Sequence, residues 1–145
     1  MKMSKSDQKK YPNLTLYVKA VLPKVKGIPK IANALLINAE IRKKSLSAIL
    51  TWGLQPTLKV VAMPHNQCGE FSPNSKSNEI RISSFLVNKF EKSGGSRKAT
   101  LLLGASILHE LAHWGDDQDG KDILGEEGNL FEIAAYGHVI PCLTK

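Results

Sequence analysis

Of all the segments in this 145-residue chain, the one from Arg97 to about Trp114 leaves the least choice of fold. Ser96 is a good N-cap, and the residues after it read as one helix about 27 Å long at 1.5 Å per residue, with Gly115 as its expected stop. Leu101, Leu102, Leu103, Ile107, Leu108 and Leu111 leave that helix apolar nearly all round, so it belongs at the centre of the molecule. Into this apolar rod the sequence places His109-Glu110-Leu111-Ala112-His113. Two imidazoles four residues apart share one helix face and can grip one Zn²⁺. Glu110 is offset from His109 by about 100°, so it can address water at the metal without competing as a ligand. Burying two histidines and a glutamate is costly unless they are paired or hold a metal. The spacing therefore predicts an HExxH zinc site with His109 and His113 as ligands and Glu110 as catalytic base.

The rest of the chain is large enough for one domain around that helix. Residues 1–10 are polar and basic and read as a flexible tail, with the single domain spanning 11–145. Apolar residues from Leu14 to Val25 suggest a helix that Pro23 ends or kinks, and Pro29 suits the first turn of another helix. Ser45 can cap a third, short helix that Gly53 stops. Leu58, Val60 and Ala62 mark a strand, and the alternation in Glu79-Ile80-Arg81-Ile82-Ser83 marks a clearer one. Residues 65–78 between them are rich in turn formers and read as a connecting loop. A helix over Phe85–Phe90 follows, and Asn129 can cap a last helix that Gly137 terminates. The expected class is α+β: N-terminal helices, a small mixed or antiparallel sheet, the central HExxH helix and a C-terminal helix that brings a ligand.

Charge is divided along the chain. Residues 1–100 carry 18 Lys and Arg against 5 acids, whereas residues 101–145 carry 2 against 8. The basic part is scattered and lacks an aromatic-interleaved motif, so nucleic acid is not the expected partner. No apolar run approaches the length of about 20 residues that a membrane span needs, and no compact apolar stretch with a cleavage site follows the basic start. The expectation is a chain without a signal peptide, cytoplasmic in the producing cell or delivered by a secretion system. Cys68 and Cys142 belong to no CxxC pair; a single bridge between them is open, and in a reducing compartment two unpaired thiols are the favoured expectation.

Catalytic zinc needs a third protein ligand and an open position. Glu132, nineteen residues after His113 on the last helix, is the favoured third ligand. Tyr136 lies one turn further on the same face, where its hydroxyl can approach an oxyanion; His138 is the weaker candidate for that task. Asp119 competes with Glu132, because it matches the third-ligand offset in HExxHxxGxxH/D sequences. The glycine of that pattern falls at Asp116, however, and no methionine follows His113. Asp116 and Asp117 are candidates for orienting the histidines from behind. Asp117, Asp119, Gly120 and Glu126 also have the spacing of part of an EF-hand, but its first position is Gly115, so structural Ca²⁺ is a poor match.

From Glu79 to His138 the chain resembles a zincin-like metallopeptidase, with an edge strand, the HELAHWGDD helix and a downstream GEEGNLFEIAAYGH segment. More narrowly, HELAHWGDD followed by EGNLFEIAAYG resembles the metallopeptidase toxin domains of bacterial polymorphic toxins and secretion-system effectors. The resemblance implies zinc binding by His109 and His113, catalysis by Glu110 and a glutamate ligand at Glu132, as in gluzincins. It also implies a protein substrate and a cognate immunity protein as partner. The expected reaction is peptide hydrolysis by a water that Glu110 activates at the zinc, with the Glu79–Ser83 strand aligning substrate. The alternative from another class is a non-catalytic, metal-dependent binding or immunity module.

Overall fold

The computed structural model describes residues 1–73, 78–118 and 126–142. Among these, seven α-helices and four short strands surround one core, an α+β architecture as expected. The first helices start where proline can: Pro12 opens α2 (Pro12–Leu16) and Pro29 opens α3 (Pro29–Asn38), at first-turn positions where no N–H is needed. Between them the chain winds through a π turn, Tyr17–Val21, into a 3₁₀ stretch, Leu22–Gly27, the distortion that Pro23 imposes on a helix. Helix α4 (Lys43–Leu50) completes this layer.

Strands β1 (Lys2–Met3), β2 (Thr57–Val61), β3 (Gly69–Phe71) and β4 (Glu79–Ser83) form a mixed sheet in the order β1-β2-β4-β3. Strand β4 runs parallel to β2, with Leu58 opposite Ile80 and Val60 opposite Ile82, and antiparallel to β3. Leu58, Ile80 and Ile82 are fully buried, so one face covers the core, while Lys59, Glu79 and Arg81 alternate onto the other. Helix α5 (Ser84–Lys92) leads to α6 (Arg97–Asp117), whose Leu103, Ile107, Leu108 and Leu111 are essentially inaccessible. Each such side chain stabilises the fold by about 1.5–3 kcal/mol. Helix α7 (Glu127–Tyr136) packs on both α3 and α6 and ends at Gly137 in the left-handed conformation, the expected stop. No helix among the described residues is long and apolar enough to cross a membrane.

Five features differ from the sequence-based expectation. Residues 1–10 are not a tail: they form β1 and α1 (Lys5–Lys10), with Met1 and Met3 buried in the core and Lys2 N–H donating to the Pro56 carbonyl at 3.1 Å. Part of the expected loop 65–78 is strand β3, too short to show a period among its turn-forming neighbours. Strand β4 is therefore interior, and β3 holds the sheet edge. Gly115 does not stop α6. It lies inside the helix because a Cβ there would sit 2.5 Å from the Ala39 carbonyl oxygen. Finally, Cys68 and Cys142 are not free thiols but form a disulfide that ties the start of β3 to the chain beyond α7, across 74 residues of sequence.

Candidate metal centre and catalytic carboxylate

Helix α6 presents His109 and His113 one turn apart, their ring centroids 5.1 Å from each other. The two Nε2 atoms face each other at 3.3 Å. Each Nδ1 is held from behind by a carboxylate: Glu132 Oε1 lies 2.8 Å from His109 Nδ1, and Glu127 Oε2 lies 2.7 Å from His113 Nδ1. Those contacts favour the tautomer in which each Nδ1–H donates to its carboxylate, leaving an Nε2 lone pair aimed at the space between the rings. Glu126 Oε1 enters the same space, 2.6 Å from His113 Nε2 and 3.2 Å from His109 Nε2. Two imidazole nitrogens and one carboxylate oxygen lie within 4.8 Å of one another.

Such a convergence of electron pairs could hold a cation at its focus, and the donor set of nitrogens and oxygen suits zinc. Without a metal a proton can serve instead. Burial of the His109 ring opposes its charged form. The hydrogen bond to Glu132 and the charges of Glu110, Glu126 and Glu132 outweigh that effect, so its pKa is raised.

The first turn of α7 brings this about. Glu126 is the N-cap residue, and its Oε2 accepts from Asn129 N–H at 2.5 Å, which leaves Oε1 for the histidines. Gly128 lets the turn approach: a Cβ there would lie 2.3 Å from the His109 ring. Glu132, expected as the third ligand, stands a turn further along at the rear nitrogen of His109. Its other oxygen accepts the Ile140 N–H, so this buried carboxylate is satisfied on both sides. The orienting role expected of Asp116 and Asp117 at the histidines is taken by Glu127 and Glu132. Asp119 and Gly120 lie outside the described residues. Tyr136 packs edge-on against Phe131, and burial, with Tyr17 and Glu132 nearby, pushes its hydroxyl's pKa up. His138 is exposed.

Glu110 is 6% exposed and sits beneath the backbone of β3, where a Cβ on Gly69 would lie 2.5 Å from its Oε1. Burial is the largest influence on it and raises its pKa from 4.5 to about 7. His109 and His113 pull the value down, while Glu126 and Glu70 push it up. A carboxyl poised near neutrality, beside a metal-binding donor set and under a sheet edge, is suited to proton transfer.

The sequence reading missed Glu126 and Glu127 as histidine partners, and Gly69 as the cover of Glu110. The one available signal was the Glu-Glu-Gly run directly ahead of the last helix, whose glycine marks a close approach. An α+β fold carrying a His-Glu-x-x-His helix, a downstream carboxylate and an edge strand over Glu110 is the arrangement expected of a metallopeptidase. The sequence profile of the metallopeptidase toxin 3 family matches residues 7–137, and the chain belongs to that family. No curated protein sequence and no solved structure matches it.

Proposed function

We propose that this metallopeptidase toxin domain is a zinc-dependent endopeptidase of the gluzincin type. The observation that carries the reading is the aim of three donors, His109 Nε2, His113 Nε2 and Glu126 Oε1, at one point, with both rings locked from behind by Glu132 and Glu127. We assign those three as ligands and Glu132 and Glu127 as the residues that fix ring orientation and tautomer. Zinc, when bound, supplies a Lewis acid that polarises the scissile carbonyl and lowers the pKa of water from 15.7 towards about 7.

The chain's own residues do the remainder. Glu110 takes a proton from the attacking water and hands it to the departing amine, and its burial, which disfavours the charged form, favours its accepting that proton. Strand β3 pairs only with β4 among the described residues, so its other side offers peptide groups to an extended substrate directly above Glu110. Tyr136 and His138 have no assigned part in proton transfer. The disulfide fits a domain that works in an oxidising compartment, while a protein target as substrate and an immunity protein as inhibitor rest on the toxin-peptidase reading.

The test is zinc content per chain for wild type and Glu110→Gln, together with cleavage of an unbiased peptide library. One zinc in both proteins and turnover by the wild type alone is the expected result. Zinc in both with turnover in neither would favour the non-catalytic binding module. No zinc in the wild type after reconstitution would refute the site.

A further inference from the structure

The edge of β3 that pairs with no strand among the described residues carries a charged side chain that points to a substrate class. The Cys68 carbonyl accepts the Ser83 N–H at 2.9 Å, and Gly69 is in register with Ile82. In an antiparallel ladder, residues 68 and 70 therefore bond towards β4, while Gly69 and Phe71 turn their peptide groups to the other side, where the Gly69 carbonyl accepts the Gln67 side-chain amide at 3.3 Å. An added antiparallel strand would hydrogen-bond to Gly69 and Phe71. Glu70 would then occupy the non-bonded position between them, where facing side chains come closest, at about 4.5 Å between Cα atoms.

Glu70 points to the face of the sheet away from α6, and there it ends a chain of ion pairs. Lys59 Nζ lies 2.5 Å from Glu79 Oε2, Glu79 Oε1 lies 3.4 Å from Arg81 Nε, and an Arg81 terminal nitrogen lies 2.5 Å from Glu70 Oε2. Across the strands Lys59 stands opposite Arg81 and Arg81 opposite Glu70, so the row ends at the β3 edge on a carboxylate whose side chain is 41% exposed. A Lys or Arg placed opposite Glu70 by an added strand would make an opposite-charge pair there, and an acidic side chain a like-charge one. A cavity of about 430 Å³ adjoins this face, lined by the apolar Met63 and Pro64 and by two cations, Lys59 and Arg81, paired with two carboxylates, Glu70 and Glu79. A long aliphatic stem can lie along Met63 and Pro64 with its cationic head at Glu70, the carboxylate on the edge strand.

We propose that Glu70 is a specificity-determining residue that selects substrates with Lys or Arg at the position beside it, between the two residues that face α6. This inference rests on the peptidase reading above. Arg81 positions Glu70 and holds its carboxylate at the edge.

The test uses the full-length, zinc-loaded chain and a mixture-based peptide library, followed by matched peptides that differ only in Lys, Gln or Glu at the selected position. The wild type should enrich Lys and Arg at one position and cleave the Lys peptide about fivefold faster in kcat/KM than the Gln peptide, with the Glu peptide slower still. Glu70→Gln should reduce the Lys-to-Glu ratio towards one, and Glu70→Lys should invert it. Zinc content and thermal midpoints matching the wild type would show that both variants are folded. Turnover without a charge preference, or a preference that survives both variants, overturns the role of Glu70 and leaves the peptidase reading standing. No turnover of any peptide by the zinc-loaded wild type counts against the peptidase reading, and this inference falls with it.

Discussion

Glu110 is a carboxyl held in a place that disfavours its charge, and that has a measurable cost. Its pKa rises from 4.5 to about 7, first because it is buried under β3 and against the interior of α6. An acid whose pKa is raised by folding stabilises the fold fully below pH 4.5, where it is protonated in both states. That contribution is lost as the pH rises through about 7. At about 1.36 kcal/mol for each tenfold change in the protonation equilibrium, the whole effect is about 3 kcal/mol. Glutamine keeps the shape and never ionises. In metal-free protein with chelator present, Glu110→Gln should therefore gain about 2–3 kcal/mol over wild type between pH 5 and pH 8.5, the direction being greater relative stability at high pH. Urea unfolding of both proteins at each half-unit of pH measures this difference; because the charges of His109 and Glu110 act on each other, the pH dependence belongs to the coupled group rather than to Glu110 alone. A gap that stays constant across that range, or one that shrinks as pH rises, would show that Glu110 is not a desolvated carboxyl in the folded chain.

Three further outcomes follow from the geometry. Glu126→Ala should abolish stoichiometric zinc binding, whereas Glu132→Gln should retain the metal with affinity lowered about 10–100-fold, as read by competition with a chelating dye. Zinc kept by the first variant and lost by the second would return the third-ligand role to Glu132. Gly69→Ala pushes a methyl group to within 2.5 Å of Glu110 Oε1, so turnover should fall on the order of 10²-fold while zinc content stays at one per chain; full activity would place β3 away from the base. Replacing both Cys68 and Cys142 by serine releases a loop of 74 residues and should lower unfolding free energy by about 4 kcal/mol in denaturant titrations. An unchanged denaturant midpoint would contradict the cross-link.

The elements that local periodicity encodes were legible along the chain. Helix α6 and strand β4 stand where their apolar patterns put them, and Gly137 ends α7 as a glycine in the left-handed conformation should. The adjacency of His109, Glu110 and His113 is a property of a single helix, and needs no partner element to be read. Other assignments depended on elements distant in sequence. A three-residue strand has no period to recognise, yet β3 is the sheet edge and the cover of Glu110. Residues 1–10 look solvated until Met1 and Met3 are seen to alternate into the core.

The sequence by itself determined that two imidazoles and a carboxyl share a buried helix, because spacing of 3.6 residues per turn fixes their directions before any tertiary contact forms. Which carboxylate meets which nitrogen was decided only by how α7 crosses α6. Gly128 brings the first turn of α7 against the His109 ring, so Glu126 reaches the facing Nε2 atoms, and Glu132, a turn later, meets the rear nitrogen. The disulfide is of the same kind: its cysteines are 74 residues apart, and their Cα atoms come within 5.7 Å only once the segment after α7 is packed beside the start of β3.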